Sequence, residues 1–316
     1  MRILVVGAGA IGGYFGGRLL AAGRDVTFLV RPARAAELAR DGLVVKSTFG
    51  DLAVPKPPAI LAEKIAGPFD LVLLSCKAYD LDSAIASFAP AVGPETVVLP
   101  VLNGMTHLAV LEQKFGPSRV LGGQCLIAVT LDAAKKVVHL NARHVLTFGE
   151  RSGGTSGRIR AVARLLDGAG FDAVLSEQIT LEMWEKWVFL ATLAGMTCLM
   201  RASVGDIVAS PGGEALTLAL LEECRAIAES QGHVPRQAML ANARETLTAA
   251  GSTLTASMLR DVEGGSRTEA EHIIGELYRR RRAAGGERSV LGIAYAHLKA
   301  HEARRARLLK SAQDAV

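Results

Sequence analysis

MRILVVGAGAIGGYFGGRLLAAGRDVTFLVR, residues 1–31, opens the chain. Its run from Ile3 to Val6 is apolar without a polar break, which is typical of a parallel strand buried on both faces. The run leads directly into the pattern G-x-G-x-x-G, with glycines at 7, 9 and 12. A second strand is predicted over Asp25–Val30, after a helical segment. This order of strand, glycine-rich turn, helix and strand predicts a unit that binds a dinucleotide.

Each glycine of this pattern has its own physical role. Gly7 permits a tight turn, Gly9 lets the backbone approach a pyrophosphate, and Gly12 lets the helix pack close to the strand. The backbone N–H groups at the start of the helix, including those of Ala10 and Ile11, then point toward the phosphates. We therefore predict that these five residues bind the cofactor.

The residue that ends the second strand indicates which cofactor is bound. An acidic side chain at this place would bind the ribose 2′-hydroxyl of NAD, whereas an arginine suits the 2′-phosphate of NADP. The chain has Arg31 there, and Arg34 is a second candidate for the phosphate. The sequence therefore favours NADPH, and a solvated loop arginine is the alternative interpretation of Arg31.

The opening stretch could also be a signal peptide or a membrane helix. Arg18, Arg24 and Asp25 follow the apolar run without a clean cleavage site, and a signal peptide would leave the glycine spacing unexplained. The uncharged run from Ile3 to Gly17 ends at Arg18, which is too early for a helix that spans a bilayer. We therefore expect a cytoplasmic protein that has no membrane partner.

The composition is that of an ordinary globular chain. Its 316 residues are enough for two domains with sizeable cores, and half of them are hydrophobic. The formal net charge of +5 favours anionic ligands such as phosphates and carboxylates but does not indicate nucleic acid. The four cysteines are scattered, with neither a metal-type spacing nor a disulfide framework. We therefore expect reduced, mostly buried thiols and no metal.

Two further strands end in polar residues that could face the cofactor. The apolar run Phe69–Cys76 ends at Lys77, and the run Thr96–Leu102 ends at Asn103. Ligands of open α/β sheets bind beyond the carboxyl ends of the strands, so we expect both side chains to lie beside the glycine turn. A surface lysine and a simple turn at Asn103–Gly104 are the alternatives.

Strands alternate with helices as far as a strand over Phe171–Leu175, and helices alone follow. The helix after Lys77 has Asp80 or Asp82 as its predicted cap. This order predicts an α/β domain with a Rossmann-type, doubly wound parallel sheet over residues 1–177, and an all-α domain over residues 178–316. The helices predicted in the second domain are Leu181–Met200, Gly213–Ser230, Pro235–Ala250, Thr268–Ala284 and Val290–Leu309.

Lys186 is the leading candidate for catalysis in the second domain. It lies in EMWEKW, near the start of an apolar helix. A lysine that is partly desolvated there can donate or accept a proton near neutral pH. A lysine that extends its ammonium group to solvent from a helix end is the alternative. Ser257 and Glu269 lie downstream, where Thr268–Glu269 could be only the cap of the helix that it opens.

Several motifs taken together resemble one family. They are GAGAIG at 7–12, Arg31, CKAYD around Lys77, LNGM around Asn103, EMWEKW around Lys186, SML at Ser257 and RTEAEHIIG around Glu269. In this order and at nearly this spacing, they resemble the ketopantoate reductases (2-dehydropantoate 2-reductases), whose C-terminal domains are of the 6-phosphogluconate-dehydrogenase-like type. The resemblance covers essentially the whole chain.

The resemblance implies a role for each matching residue. Lys186 would be the general acid that protonates the 2-oxo group as NADPH delivers hydride, and Glu269 would help to hold it. Lys77 and Asn103 would lie at the nicotinamide and substrate end of the crevice, and Ser257 would contact the substrate carboxylate. The implied reaction is the reduction of a 2-oxo acid, with 2-dehydropantoate, an intermediate of pantothenate and coenzyme A synthesis, as the first expectation.

The chain also departs from the family pattern. Members often carry asparagines four and eight residues after the lysine, where this chain has Leu190 and Ala194. An Asp and an Asn often follow the Thr-Glu pair, where this chain has Glu271 and Ile274. One alternative is therefore a relative that reduces a different, less polar 2-oxo acid, and another is a non-catalytic NADPH-sensing protein. A homodimer through the apolar helices is a further hypothesis.

Overall fold

The computed structural model of the protein describes residues 1–281 and 289–314. The chain divides into two compact units, Met1–Thr180 and Leu181–Val316. Within the described ranges, no helix combines the length and the apolar character needed to cross a membrane. The predicted combination of an α/β N-terminal part and a helical C-terminal part is confirmed.

The strands all belong to the first unit, as far as the described residues show. They are β1 Arg2–Val6, β2 Asp25–Leu29, β3 Leu43–Lys46, β4 Leu52–Val54, β5 Ala59–Ile60, β6 Leu71–Leu74, β7 Val97–Pro100, β8 Gly122–Leu131, β9 Val137–Gly149 and β10 Asp172–Leu175. The helices of this unit are α1 Ala10–Ala21, α2 Pro32–Asp41, α3 Leu81–Phe88, α4 Thr106–Phe115 and α5 Gly157–Leu166.

A parallel sheet forms the centre of the first unit. Its strand order is β5-β2-β1-β6-β7, and every neighbouring pair is parallel. Ile3 in β1 pairs with Val26 on one side and with Leu71 on the other. The apolar run from Ile3 to Val6 is buried because helices cover both faces of such a sheet. The predicted Rossmann-type sheet is therefore confirmed.

Helix α1 packs closely because glycines replace larger side chains on two of its faces. A Cβ atom at Gly16 would lie 2.5 Å from the ring of Phe28 in β2. A Cβ atom at Gly17 would lie 3.2 Å from Leu43 in β3, which belongs to a second sheet. The small side chains of α1 thus let it contact both sheets of the unit.

The second sheet is an addition to the predicted architecture. Its path is β10-β9-β3-β4, and β8 pairs with β9 as an antiparallel hairpin. Parallel pairing joins Val45 in β3 to Val137 in β9, although the two residues are far apart in the chain. The sequence predicted strands in these regions but assigned them to no separate sheet.

The described residues of the second unit form helices joined by loops, with no strand among them. Its elements are α6 Ile179–Met200, α7 Val204–Ala209, α8 Gly213–Ser230, α9 Gln237–Leu247, α10 Ser257–Glu263, a π-helix at Glu271–Gly275, α11 Glu276–Arg280 and α12 Val290–Asp314. The helix predicted over Thr268–Ala284 is therefore interrupted by a π-helical turn, and its last three residues lie outside the described residues.

The π-helical turn has identifiable packing causes. A Cβ atom at Gly275 would lie 2.6 Å from the ring of Tyr295 in α12, so only glycine fits there without a shift. The carbonyl of Ile273 accepts a 2.9 Å hydrogen bond from the indole N–H of Trp187 in α6. Both contacts hold this turn against neighbouring helices of the same unit.

The four cysteines lie in the described part of the chain and form no disulfide. Burial raises the pKa of the Cys198 and Cys224 thiols to about 12, which makes both unreactive near neutral pH. Cys125 is also buried, whereas Cys76 is partly exposed. The expectation of mostly buried thiols is therefore confirmed.

Candidate active site

The glycine turn after β1 is fixed by hydrogen bonds from its own backbone and from β6. Gly7 has a φ of +93°, a conformation that favours glycine. Its N–H donates to the carbonyl of Leu29 at 2.9 Å. The hydroxyl of Ser75, just after β6, donates to the carbonyl of Val6 at 2.9 Å. Ser75 could not be identified from the sequence, because a serine after a strand is not a specific signal.

The space around the glycines separates a packing role from a ligand-binding role. A Cβ atom at Gly12 would overlap the carbonyl oxygen of Gly7 and the hydroxyl of Ser75. A Cβ atom at Gly9 would have no protein atom within 4 Å. Gly9 is the N-cap of α1, so this open space adjoins the helix N-terminus and its N–H groups, which include those of Ala10 and Ile11. Such a space fits an approaching phosphate.

Arg31 follows β2 with only Val30 between them, and it is the N-cap of α2. Its side chain is 71% exposed, and its Nη2 atom lies 3.2 Å from Oδ1 of Asp80. The same Nη2 atom donates a hydrogen bond to the hydroxyl of Ser83 at 3.3 Å. Asp80 occupies the predicted N-cap position of α3, but its side chain accepts no capping hydrogen bond there. The Asp80 carboxylate contacts Arg31 instead.

Arg34 is engaged with the glycine turn. Its Nε atom donates to the carbonyl of Ala8 at 3.0 Å, and its Nη1 atom donates to Glu37 at 2.9 Å. The side chain is only 17% exposed. Arg34 therefore supports the turn from the side of α2, which leaves Arg31 as the more accessible of the two guanidinium groups.

The structure brings Lys77 and Asn103 to the same edge of the sheet as the glycine turn. The neighbouring strands β1, β6 and β7 end in register, since Leu74 pairs with both Val6 and Pro100. Lys77 follows β6 and is exposed, whereas Asn103 follows β7 and is partly buried. The expected convergence of these segments is thus observed within the first unit.

In the second unit, Lys186 is partly exposed while its neighbours in the chain are buried. Trp184, Glu185 and Trp187 have exposed fractions of 5%, 3% and 1%. Trp184 stacks on His233 with a ring separation of 5.0 Å, and Trp187 donates its hydrogen bond to the π-helical turn. The lysine is therefore presented from a turn of α6 that is fixed on both sides.

Glu185 is held by the start of α9. Its carboxylate accepts hydrogen bonds from the backbone N–H and the Nε atom of Arg236, both at 2.8 Å, and a third from Nη2. The hydrogen bond with Glu185 raises the pKa of Arg236 above its ordinary value. This pair could not be identified from the sequence, because its members lie 51 residues apart.

Glu269 is buried and immediately precedes the segment that contains the π-helical turn. Its carbonyl accepts a hydrogen bond from the N–H of Ile273 at 3.0 Å. Thr268 donates to Glu302 in α12 at 2.6 Å and accepts from the N–H of Ala270 at 3.3 Å. Thr268 therefore makes the capping contact considered from the sequence, and it also ties this segment to α12.

The remaining predicted residues lie at separate places on the helices. Ser257 is exposed at the first position of α10. Leu190 is partly exposed, whereas Ala194 is completely buried. Only Leu190 therefore shares the partly exposed character of Lys186.

Two family models match the chain. The model described as "Ketopantoate reductase PanE/ApbA" matches residues 3–153. The model described as "Ketopantoate reductase PanE/ApbA C terminal" matches residues 178–302. Together they account for most of both units.

Individual proteins resemble the chain over much of its length. The uncharacterized oxidoreductase YkpB of Bacillus subtilis is 36% identical over 303 residues, which cover 96% of this chain and 99% of that protein. A 2-dehydropantoate 2-reductase of Mesorhizobium japonicum is 31% identical over 253 residues, or 73% of this chain and 77% of that protein. The crystal structure of 2-dehydropantoate 2-reductase from Methylococcus capsulatus matches with a TM-score of 0.84 at 28% identity, covering 96% of this chain and 98% of that one.

Proposed function

Because this chain belongs to the ketopantoate reductase family, it is an oxidoreductase, and we propose that it reduces a 2-oxo acid to the 2-hydroxy acid with NADPH. The observation that supports catalysis most directly is the presentation of Lys186, which is partly exposed between buried and anchored neighbours. A protein that only senses the nucleotide would have no need for a fixed proton donor.

The residues of the first unit fit the proposed cofactor. Gly7, Gly9 and Gly12, with the N–H groups at the start of α1, would hold the pyrophosphate in the open space beside Gly9. Arg31 would bind the 2′-phosphate, because its guanidinium is exposed just beyond the end of β2. Lys77 would contribute positive charge at the same edge of the sheet. When bound, NADPH supplies the hydride.

The residues of the second unit would handle the proton and the substrate. Hydride addition to a ketone leaves negative charge on its oxygen, which a positioned ammonium group can stabilise and protonate. We assign this role to Lys186, and we assign to Glu269 the task of holding it. Asn103 of the first unit and Ser257 would bind the polar groups of the substrate, with Ser257 at its carboxylate.

The proposed substrate is 2-dehydropantoate, reduced to pantoate for pantothenate and coenzyme A synthesis. The relatives named above as 2-dehydropantoate 2-reductases support this choice. Leu190 and Ala194 favour the second candidate, a less polar 2-oxo acid, because neither side chain can hydrogen-bond a substrate hydroxyl.

The oxidation of NADPH, followed by absorbance, tests the function. The purified protein is mixed with 2-dehydropantoate and with a panel of other 2-oxo acids, and the Lys186→Ala variant serves as the control. The proposal is supported if the wild-type protein turns over at least one acid that the Lys186→Ala variant does not turn over. Binding of NADPH without turnover on any acid would instead indicate a sensor. Sedimentation of the same preparation tests the proposed homodimer, which a monomer at micromolar concentration would exclude.

A further inference from the structure

Arg31, the residue assigned to the 2′-phosphate of NADPH, already contacts the carboxylate of Asp80 in the protein itself. From this contact, and on the basis of the proposed NADPH-dependent function, we propose that Asp80 limits the preference of this chain for NADPH over NADH. Asp80 would do so by competing with the 2′-phosphate for the guanidinium of Arg31. Asp80 is thus inferred to be a determinant of cofactor choice.

The position of the carboxylate is fixed by the backbone around it. Asp80 ends the 3₁₀ turn Ala78–Asp80, and its N–H donates to the carbonyl of Lys77 at 2.9 Å. Its own carbonyl accepts a hydrogen bond from the hydroxyl of Ser83 at 2.9 Å. Asp80 and Ser83, the two residues that contact Arg31, are therefore linked through the Asp80 backbone carbonyl.

Arg31 is also fixed at its base. It is the N-cap of α2, and Pro32 follows at the first helical position. Its Nη2 atom is the one that contacts both Asp80 and Ser83. A phosphate that binds an arginine through two parallel hydrogen bonds uses Nη2 together with either Nε or Nη1. The 2′-phosphate would therefore have to displace the Asp80 carboxylate.

The two cofactors meet this arrangement differently. The 2′-phosphate is negative and would be repelled by the Asp80 carboxylate that it displaces. The 2′-hydroxyl of NADH is neutral, so its binding does not require the Arg31–Asp80 pair to separate. The pair therefore weakens the binding of NADPH and leaves that of NADH nearly unaffected.

The chain offers a matched control two residues further on. Asp82 lies in the first turn of α3, is exposed, and forms no ion pair within the described part of the chain. Asp80→Asn and Asp82→Asn remove the same charge from the same turn, but only the first removes a partner of Arg31. A difference between the two variants therefore reports on the contact rather than on net charge.

The experiment is a titration of the full-length protein with NADPH and with NADH at low ionic strength, followed by nicotinamide fluorescence. Wild type, Asp80→Asn, Asp82→Asn and Arg31→Ala are compared. For Asp80→Asn we expect the Kd of NADPH to fall about two- to five-fold, the range for an exposed ion pair, with the Kd of NADH unchanged. Added salt should reduce the difference, because it screens exposed charges. For Asp82→Asn we expect no such selective tightening.

The outcomes separate this inference from the proposed function. A variant cannot bind its ligand more tightly because it is misfolded, so selective tightening by Asp80→Asn supports the competition. Unchanged or weaker NADPH binding by Asp80→Asn, or equal tightening by Asp82→Asn, would overturn it. If Asp80→Asn fails this test but Arg31→Ala still weakens the binding of NADPH selectively, the proposed cofactor stands and only the role of Asp80 is wrong. If Arg31→Ala weakens both cofactors equally, the 2′-phosphate assignment itself is wrong.

Discussion

Arg236 donates three hydrogen bonds to the buried carboxylate of Glu185, the residue that immediately precedes Lys186. Two of them come from the backbone N–H and the Nε atom and share one carboxylate oxygen, so α9 begins at a fixed place against α6. The Glu185 side chain is 5% exposed, whereas that of Arg236 is 50% exposed. The contact therefore anchors the buried side of α6 while its other side presents the lysine.

Glu185→Gln should lower both stability and turnover. The amide keeps the volume but loses the charge and one accepting oxygen, which costs about 1–3 kcal/mol in the free energy of unfolding. Glu223→Gln is the matched control, since Glu223 also accepts three hydrogen bonds, from Ser289, Val290 and Leu291 at the start of α12. Urea unfolding should show similar decreases in the free energy of unfolding for both variants, while kcat should fall only for Glu185→Gln. Equal losses of kcat would mean that the Arg236 contact is structural alone.

Substitutions at two glycines of the turn should have opposite consequences. Gly12→Ala places a methyl group onto the Gly7 carbonyl and the Ser75 hydroxyl, so the melting temperature should fall by several degrees. Gly9→Ala meets no protein atom within 4 Å, so its melting temperature should remain close to that of wild type. Its Kd for NADPH should nevertheless rise, because the methyl group occupies the space assigned to the pyrophosphate. Unchanged NADPH binding by a folded Gly9→Ala protein would contradict this assignment.

Lys186→Ala should abolish most of the turnover without unfolding the protein. We expect kcat to fall roughly 10²–10⁴-fold, the usual range for the loss of an acid or base. The melting temperature should change little, because the lysine is partly exposed. NADPH titration provides the control for folding of the first unit. Near-normal kcat in this variant would exclude Lys186 as the proton donor.

Glu269→Gln should lower kcat as well, because we expect the carboxylate to hold Lys186 in its active position. Glu302→Gln, which weakens the contact of Thr268 with α12 but leaves Glu269 intact, is the comparison. If the melting temperature falls by the same amount in both variants and kcat falls in neither, Glu269 is a structural element of the helix start.

The choice of substrate should respond to Leu190. A substrate hydroxyl buried against this side chain without a partner costs about 1–3 kcal/mol, which is roughly 5- to 150-fold in kcat/KM. We therefore expect weak activity on 2-dehydropantoate and better relative activity on its deoxy analogue. Leu190→Asn should shift the preference toward 2-dehydropantoate. Ala194→Asn is the less suitable variant, because Ala194 is completely buried and an amide there would lack room.

The measurement is kcat/KM for both acids in wild type and in Leu190→Asn. A wild-type efficiency on 2-dehydropantoate far above that on the analogue would show that other side chains satisfy the hydroxyl. The inference from Leu190 would then be wrong.

Local patterns in the sequence were sufficient for the central features. The strand Ile3–Val6, the glycine turn and the helix that follows it depend on an apolar run and on glycine spacing, both of which are visible within a few residues. The family resemblance, which also depends on short motifs, is confirmed by the two family models. The assignments of individual residues to catalysis and binding remain predictions.

Contacts between distant residues could not be predicted in the same way. The second sheet depends on the pairing of Val45 with Val137, for which neither strand carries a specific signal. The position of Asp80 suggested a helix cap, but the competing contact with Arg31 comes from another strand end. The anchoring of Glu185 by Arg236 was hidden for the same reason. In each case a side chain had more than one available partner, and tertiary packing selected among them.

The π-helical turn at Glu271–Gly275 also sets how many residues this part of the chain must have. A π-helix contains one more residue per turn than the α-helical ladder would allow, and each residue of an α-helix rotates the next by about 100°. Removal of one residue from this turn would therefore restore the α-helical ladder and leave the buried Leu277 facing the core, whereas insertion of one more residue would rotate Leu277 by about 100° toward solvent. The segment therefore tolerates the loss of one residue better than the gain of one. Insertions here should be rarer among functional variants than single-residue deletions.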